Sequence, residues 1–152
     1  MRQGNRRATL LSALFLSGFA GAFAGPAAAQ TTAAAPDPNL RSVSLVRQDF
    51  SDCSNGNVSD SNPTLIGGTA WVVRGSDGKT SVKVGITASP NTTYHFFLKC
   101  VRILGDITTQ DEGEAVATFE FSTNEAGNVF AFDVYPQGAP AGNKFQSVQV
   151  KF

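Results

Sequence analysis

The chain has a single histidine, a single tryptophan, one methionine and only two cysteines among its 152 residues. With His95 as the only imidazole, a Ser-His-Asp set would have to be built on it, and no G-x-S-x-G nucleophile elbow accompanies it. The two cysteines show no CxxC spacing and there is no second histidine, so the common zinc donor sets are missing. Charge is sparse at 16% of residues, and the lysines and arginines are scattered. A basic patch able to release counterions from a phosphate backbone is therefore absent, which argues against nucleic acid as a partner. Gly78-Lys79-Thr80 ends like a phosphate loop, but the position of its first glycine is Val73 and no helical pattern follows. It reads as a hairpin turn. Helical periodicity is the last absence: beyond residue 40 no stretch of ordinary helix length repeats its apolar residues every three to four positions.

What is present begins with a leader. Arg2, Arg6 and Arg7 form a basic start, and residues 8–25 are an apolar run of Leu, Phe, Ala and Gly. Ala27 and Ala29 then fit an A-x-A cleavage site, which predicts a bacterial-type signal peptide over residues 1–29. The alternative, a retained anchor, is disfavoured by the length of the apolar run. Arg6-Arg7 raises a twin-arginine route, but Ala8-Thr9-Leu10 fit that pattern only partly, so Sec export stays the default. Removal of the leader leaves 9 basic and 12 acidic residues, a net charge of −3. No later segment is apolar for long enough to span a bilayer. The expected location is the periplasm or the extracellular space.

Residues 30–39 are small, polar and proline-containing, and offer too little apolar area to offset the entropy of ordering. They read as a disordered linker to one domain over residues 40–152. In an exported chain the pair Cys53 and Cys100 points to a disulfide, the alternative being two buried free thiols.

The domain alternates with period 2. Val82, Val84 and Ile86 oppose Ser81, Lys83 and Thr87; Tyr94, Phe96, Leu98 and Cys100 share a face; Val148, Val150 and Phe152 alternate with polar residues. Turn residues such as Asp77-Gly78, Asp111-Glu112-Gly113 and residues 136–143 separate the runs. The expectation is an all-β antiparallel sandwich of about seven strands, over residues 41–49, 65–74, 79–88, 93–103, 115–122, 128–135 and 145–152. If neighbouring strands simply run up and down, Cys53 and Cys100 fall at opposite ends. A bond between them then requires residues 54–64 to cross the sandwich, a Greek-key-type crossover in place of a hairpin.

Residues 88–94 (ASPNTTY) resemble the turn before a late strand in fibronectin type III domains, with Pro90, Thr92 and Tyr94 at the matching positions and Ala88 in place of the usual Leu. The resemblance spans about fifteen residues. It implies a fibronectin-like or immunoglobulin-like sandwich and a structural tyrosine corner, in which the Tyr94 hydroxyl bonds back to the upstream backbone. It carries no function of its own.

Most aromatics fall on the inward faces and read as core. Phe97 is the exception, flanked by His95 and Lys99 on the opposite face, and these three are the candidate binding residues. Acidic loops around Asp111, Glu112 and Glu114, with Asp106 near, and from Asp49 to Asp60 suggest calcium as the one cofactor to consider, although neither matches an EF-hand loop. No catalytic or metal-ligating residue is assigned. These features together suggest a non-enzymatic exported module that contacts a protein or an envelope polymer. The alternative is a small-ligand or carbohydrate-binding domain.

Overall fold

The computed structural model describes residues 35–136, 138–139 and 144–152. The leader assigned to residues 1–29, and the linker as far as residue 34, lie outside the described residues. The last linker residues are tied to the domain: the Asn39 carbonyl accepts from Arg74 N at 3.1 Å, and the Pro38 carbonyl accepts from Arg41 Nη1 at 2.7 Å.

The period-2 segments are strands. β1 (Leu40–Val46), β2 (Ile66–Arg74) and β3 (Lys79–Thr87) form an antiparallel meander. Val43 and Leu45 on β1, Ala70 and Val72 on β2, and Val82, Val84 and Ile86 on β3 are all buried, as alternation requires when one face covers a core. Gly78 turns the β2–β3 hairpin at φ 79°, a conformation that a side chain disfavours. β4 (Thr93–Leu98) and β5 (Arg102–Thr108) form the next hairpin, followed by β6 (Glu114–Ser122) and a one-turn helix α1 (Thr123–Ala126). α1 is closed by a capping box in which Glu125 accepts from Ser122 N at 3.0 Å. β7 (Val129–Phe130), β8 (Phe132–Tyr135), β9 (Phe145–Ser147) and β10 (Val150–Lys151) complete the chain.

The fold is all-β and antiparallel, but its form corrects the expected seven-stranded sandwich. One eight-stranded sheet runs β5-β4-β8-β9-β1-β2-β3-β6, with β7 and β10 paired separately. It curls until its two edge strands meet, so the sheet is nearly a barrel. Phe119 on β6 lies over Gly105 on β5, where an added Cβ would come within 2.5 Å of Phe119 Cε1. Phe119 also stacks on Phe96 with ring centroids 5.1 Å apart. Outside this seam, Arg102 at the start of β5 donates to Glu125 of α1 at 2.7 Å. Hydrogen bonds from Arg102 and from the Ser122 backbone hold the Glu125 carboxyl below the ordinary carboxylate range.

Three of the expected runs each divide in two; one is 128–135, of which 129–130 become β7 and 132–135 become β8 in the larger sheet. The run 93–103 is not one strand: the chain reverses after Leu98, with Cys100 at φ 59° and Val101 N donating to the Leu98 carbonyl at 3.0 Å. This turn contains no glycine, asparagine or proline, and its left-handed residue is the cysteine that the disulfide holds. The last run also divides, because only residues 145–147 pair with β8 and β1, while 150–151 pair with β7.

Cys53 and Cys100 are bonded, with Cα atoms 5.4 Å apart. The proposed crossing of residues 54–64 is corrected, however. β1 and β2 are adjacent, and the connection between them leaves and returns at one end, where Arg47 N donates to the Leu65 carbonyl at 2.8 Å. Crossovers lie instead at residues 88–92 and 109–113, which place β4 beside β8 and β6 beside β3, and in the connection from β6 through α1 and β7 to β8. The sulfurs meet because the strands are staggered. Phe97 pairs with Asp133, Asp133 with Gln146, and Gln146 with Val46, so the end of β1 stands level with the end of β4. Stagger of this kind accompanies the curling of a sheet toward a barrel.

Candidate functional site

The residues of the suggested tyrosine corner lie together at the first crossover. Ser89 N donates to the Tyr94 hydroxyl at 3.1 Å, and Thr92 Oγ1 donates to the Pro90 carbonyl at 2.8 Å. Tyr94 is fully buried. Thr109 braces the same turn from the second crossover, donating through its hydroxyl to the Ser89 carbonyl at 2.6 Å and accepting from Thr92 N at 2.9 Å.

His95, Phe97 and Lys99 share one face of the β4 segment but not one environment. His95 and Phe97 are half-exposed. The His95 ring is 2.7 Å from Asp106 Oδ1 on the neighbouring β5, and Phe97 stacks on Tyr135 of β8 at 4.8 Å and 13°. Lys144 Nζ lies 5.2 Å from the Tyr135 ring and 3.2 Å from Asp49. These residues form a small aromatic patch with mixed charge at its rim.

Lys99 departs from that patch. It is only 9% exposed, enclosed by the segment that follows β1. Its Nζ donates to the Phe50 carbonyl at 2.6 Å and to Asn55 Oδ1 at 2.5 Å, and lies 3.6 Å from Asp133 Oδ2. Asn55, fully buried at φ 53°, donates in turn to the Ser147 carbonyl at 2.9 Å. Gln146 closes the group, accepting from Phe50 N at 2.7 Å and donating to the Phe50 carbonyl at 2.8 Å. Burial pushes the Asp133 carboxyl above the ordinary carboxylate range, against the opposing charge of Lys99 and hydrogen bonds from Asn55, Gln146 and Lys99. Lys99 thus contacts the protein's own loop and offers little surface to an outside ligand.

A second surface escaped the sequence reading, which assigned the aromatics other than Phe97 mainly to the core. Trp71 is 40% exposed on the outer face of β2. Its partner across the sheet on β3 is the exposed Lys83; diagonal to it on the same strand is Gly85, which pairs with Val116 on β6, itself 67% exposed. A Cβ at Gly85 would lie 3.6 Å from Trp71 Cζ3 and 3.9 Å from Val116 Cγ2. The missing side chain leaves a shallow groove of about 240 Å³, flanked by Thr69, Thr87 and Glu114. The signal was present in the parity: Trp71 sits between Ala70 and Val72, both of which point inward.

The acidic loops are dispersed. Asp106 is engaged by His95, Asp60 accepts from Ser44 Oγ at 3.0 Å, and Asp52 accepts from Gly56 N at 2.6 Å. Among the described residues, no three His, Cys, Asp or Glu side chains converge as a metal-binding group, and no helix is long and apolar enough to cross a membrane. No protein-family model and no curated protein matches the chain.

Proposed function

We propose that this chain is a non-enzymatic exported module that binds a protein of the cell envelope or surface through the outer face of β2, β3 and β6. One observation carries the reading. Trp71 and Val116 stand exposed on either side of Gly85, giving an open apolar surface with polar groups at its margin and no convergent set of reactive side chains. Exposed aromatic residues with apolar neighbours are favoured anchors in protein contacts. The disulfide is consistent with an oxidising compartment, in line with export. A rigid near-barrel presents such a face with little ordering cost on binding.

Carbohydrate is the second reading. The indole of Trp71 beside Thr69, Thr87 and Glu114 combines a flat apolar surface with hydrogen-bonding groups, as a sugar ring requires. The His95–Phe97–Tyr135 patch is the smaller alternative surface for either partner.

The test is retrieval of envelope components by the purified exported chain, with polysaccharides as a parallel arm. Trp71 is the only tryptophan, so its fluorescence reports contact at this face directly. Protein captured by the wild type and lost with Trp71→Ala supports the leading reading. Binding to polysaccharide alone replaces it with the second. Binding that leaves Trp71 fluorescence and affinity for the Trp71→Ala variant unchanged removes this face from both.

A further inference from the structure

We propose that Lys99 and Asn55 join covalently, forming a side-chain amide in a self-catalysed step assisted by Asp133. The geometry supplies the three groups such a reaction needs. The amine nitrogen of Lys99 is 2.5 Å from the carbonyl oxygen of the Asn55 amide, so the amide carbon is one bond further on. Asp133 stands beside both nitrogens: Oδ2 is 3.6 Å from Lys99 Nζ, the entering nitrogen, and Oδ1 is 3.5 Å from Asn55 Nδ2, the leaving one. One carboxyl is therefore placed to move a proton from nucleophile to leaving group. Asn55 Nδ2 is further held by the Ser147 carbonyl at 2.9 Å and the Phe132 carbonyl at 3.3 Å, which orients the amide.

The step balances without any outside reagent. The Lys99 ammonium passes one proton to the Asp133 carboxylate, giving a neutral amine and a neutral acid. The Nζ–Cγ bond then forms while Asp133 takes a second proton from Nζ and gives its own to Nδ2. The Cγ–Nδ2 bond breaks and ammonia leaves. Asp133 ends protonated, and nothing is oxidised or reduced.

The surroundings favour this course. Asn55 is fully buried, and Lys99 and Asp133 are each 9% exposed, which limits competition from water as nucleophile. Burial favours the neutral forms of an ion pair over the charged ones, and the upward displacement of the Asp133 carboxyl has that cause. The Cys53–Cys100 bond lies two residues before Asn55 and one after Lys99, so it holds the reactants together at high effective concentration. Reaction is a single event per chain. It is independent of what the outer face binds.

Peptide mapping of the full chain, purified after export, decides the matter. After reduction, alkylation and trypsin digestion, the peptides containing Asn55 and Lys99 are expected as one branched species lighter than their sum by one ammonia. Lys99→Arg and Asn55→Ala should give only linear peptides. Separate, unmodified Asn55 and Lys99 peptides from the wild type would overturn the proposal. Asp133→Ala should lose the branched species while keeping Cys53–Cys100 oxidised; undiminished joining in that variant would overturn the role of the carboxyl.

Discussion

Lys99 Nζ lies 3.6 Å from Asp133 Oδ2, and the segment after β1 closes over both. Before Lys99 joins Asn55, a charged pair in this position costs desolvation on each side, and the attraction between the partners offsets it only in part. The pair is held because the surrounding atoms are polar: the Phe50 carbonyl, the Asn55 amide and the Gln146 amide all point into it.

The stability of the domain should fall as pH rises through the titration of Asp133. Burial raises its folded pKa even against the charge of an unjoined Lys99, and joining to Asn55 removes that charge, so the folded state keeps a proton that the unfolded chain releases at about pH 3.9. Between the unfolded and the raised folded value, unfolding releases protons, and stability drops with rising pH; above the folded value this contribution is level. Asp133→Asn should flatten that part of the profile. Urea midpoints from about pH 4 to about pH 7 for both chains give the comparison, and parallel profiles would contradict the assignment.

Loss of the disulfide should have a cost that depends on Lys99. The bond closes a loop of sequence separation 47, for which chain entropy gives about 4 kcal/mol. A Lys99–Asn55 amide closes nearly the same loop, so removing Cys53–Cys100 by paired serine substitution should cost about 1 kcal/mol in the wild type and about 4 kcal/mol in a Lys99→Arg background. Urea unfolding of the four chains measures the coupling. Equal costs in both backgrounds would mean the two links do not share a loop constraint.

Tyr94→Phe should destabilise the domain by about 1–2 kcal/mol, because Ser89 N loses its acceptor beside a fully buried ring. The apolar burial is retained, so the urea midpoint should shift while the m-value stays constant. A midpoint unchanged within error would show that water replaces the hydroxyl at no cost.

Filling the groove should separate binding from folding. Gly85→Val places its first atom at ordinary contact distance from Trp71 and Val116, so the fold should keep its melting temperature within a few degrees. Trp71→Ala removes an anchor and should weaken partner binding by about 30-fold or more, the range of an interface hot spot. Titration of both variants against the captured partner checks this. Wild-type affinity in the two together would place the contact elsewhere, with the His95–Phe97–Tyr135 patch the next surface to mutate.

Strand content was readable because it depends on local alternation. Thr80, Val82, Val84 and Ile86 are buried on β3 as their parity indicates, and the Asp77-Gly78 hairpin falls where turn chemistry places it. The reversal at Cys100 was not readable. A left-handed cysteine carries no local turn signal, and it is held there by a residue 47 positions earlier. Lys99 was misplaced for a related reason: parity puts it on the outer face with Phe97, but parity does not say what covers that face.

The sequence by itself determined the class of the domain, the pairing of its two cysteines and the segments that turn between strands. These follow from side-chain period, from having only one possible partner, and from backbone preferences within a few residues. Tertiary structure alone decided that the strands form one curled sheet, since edge contacts such as Phe119 on Gly105 join distant segments. It alone brought the end of β1 level with the end of β4, because stagger belongs to the whole sheet and not to any strand. That stagger lowers Asn55 onto Lys99 and Asp133, while Trp71 stands 40% exposed on β2 of the same sheet.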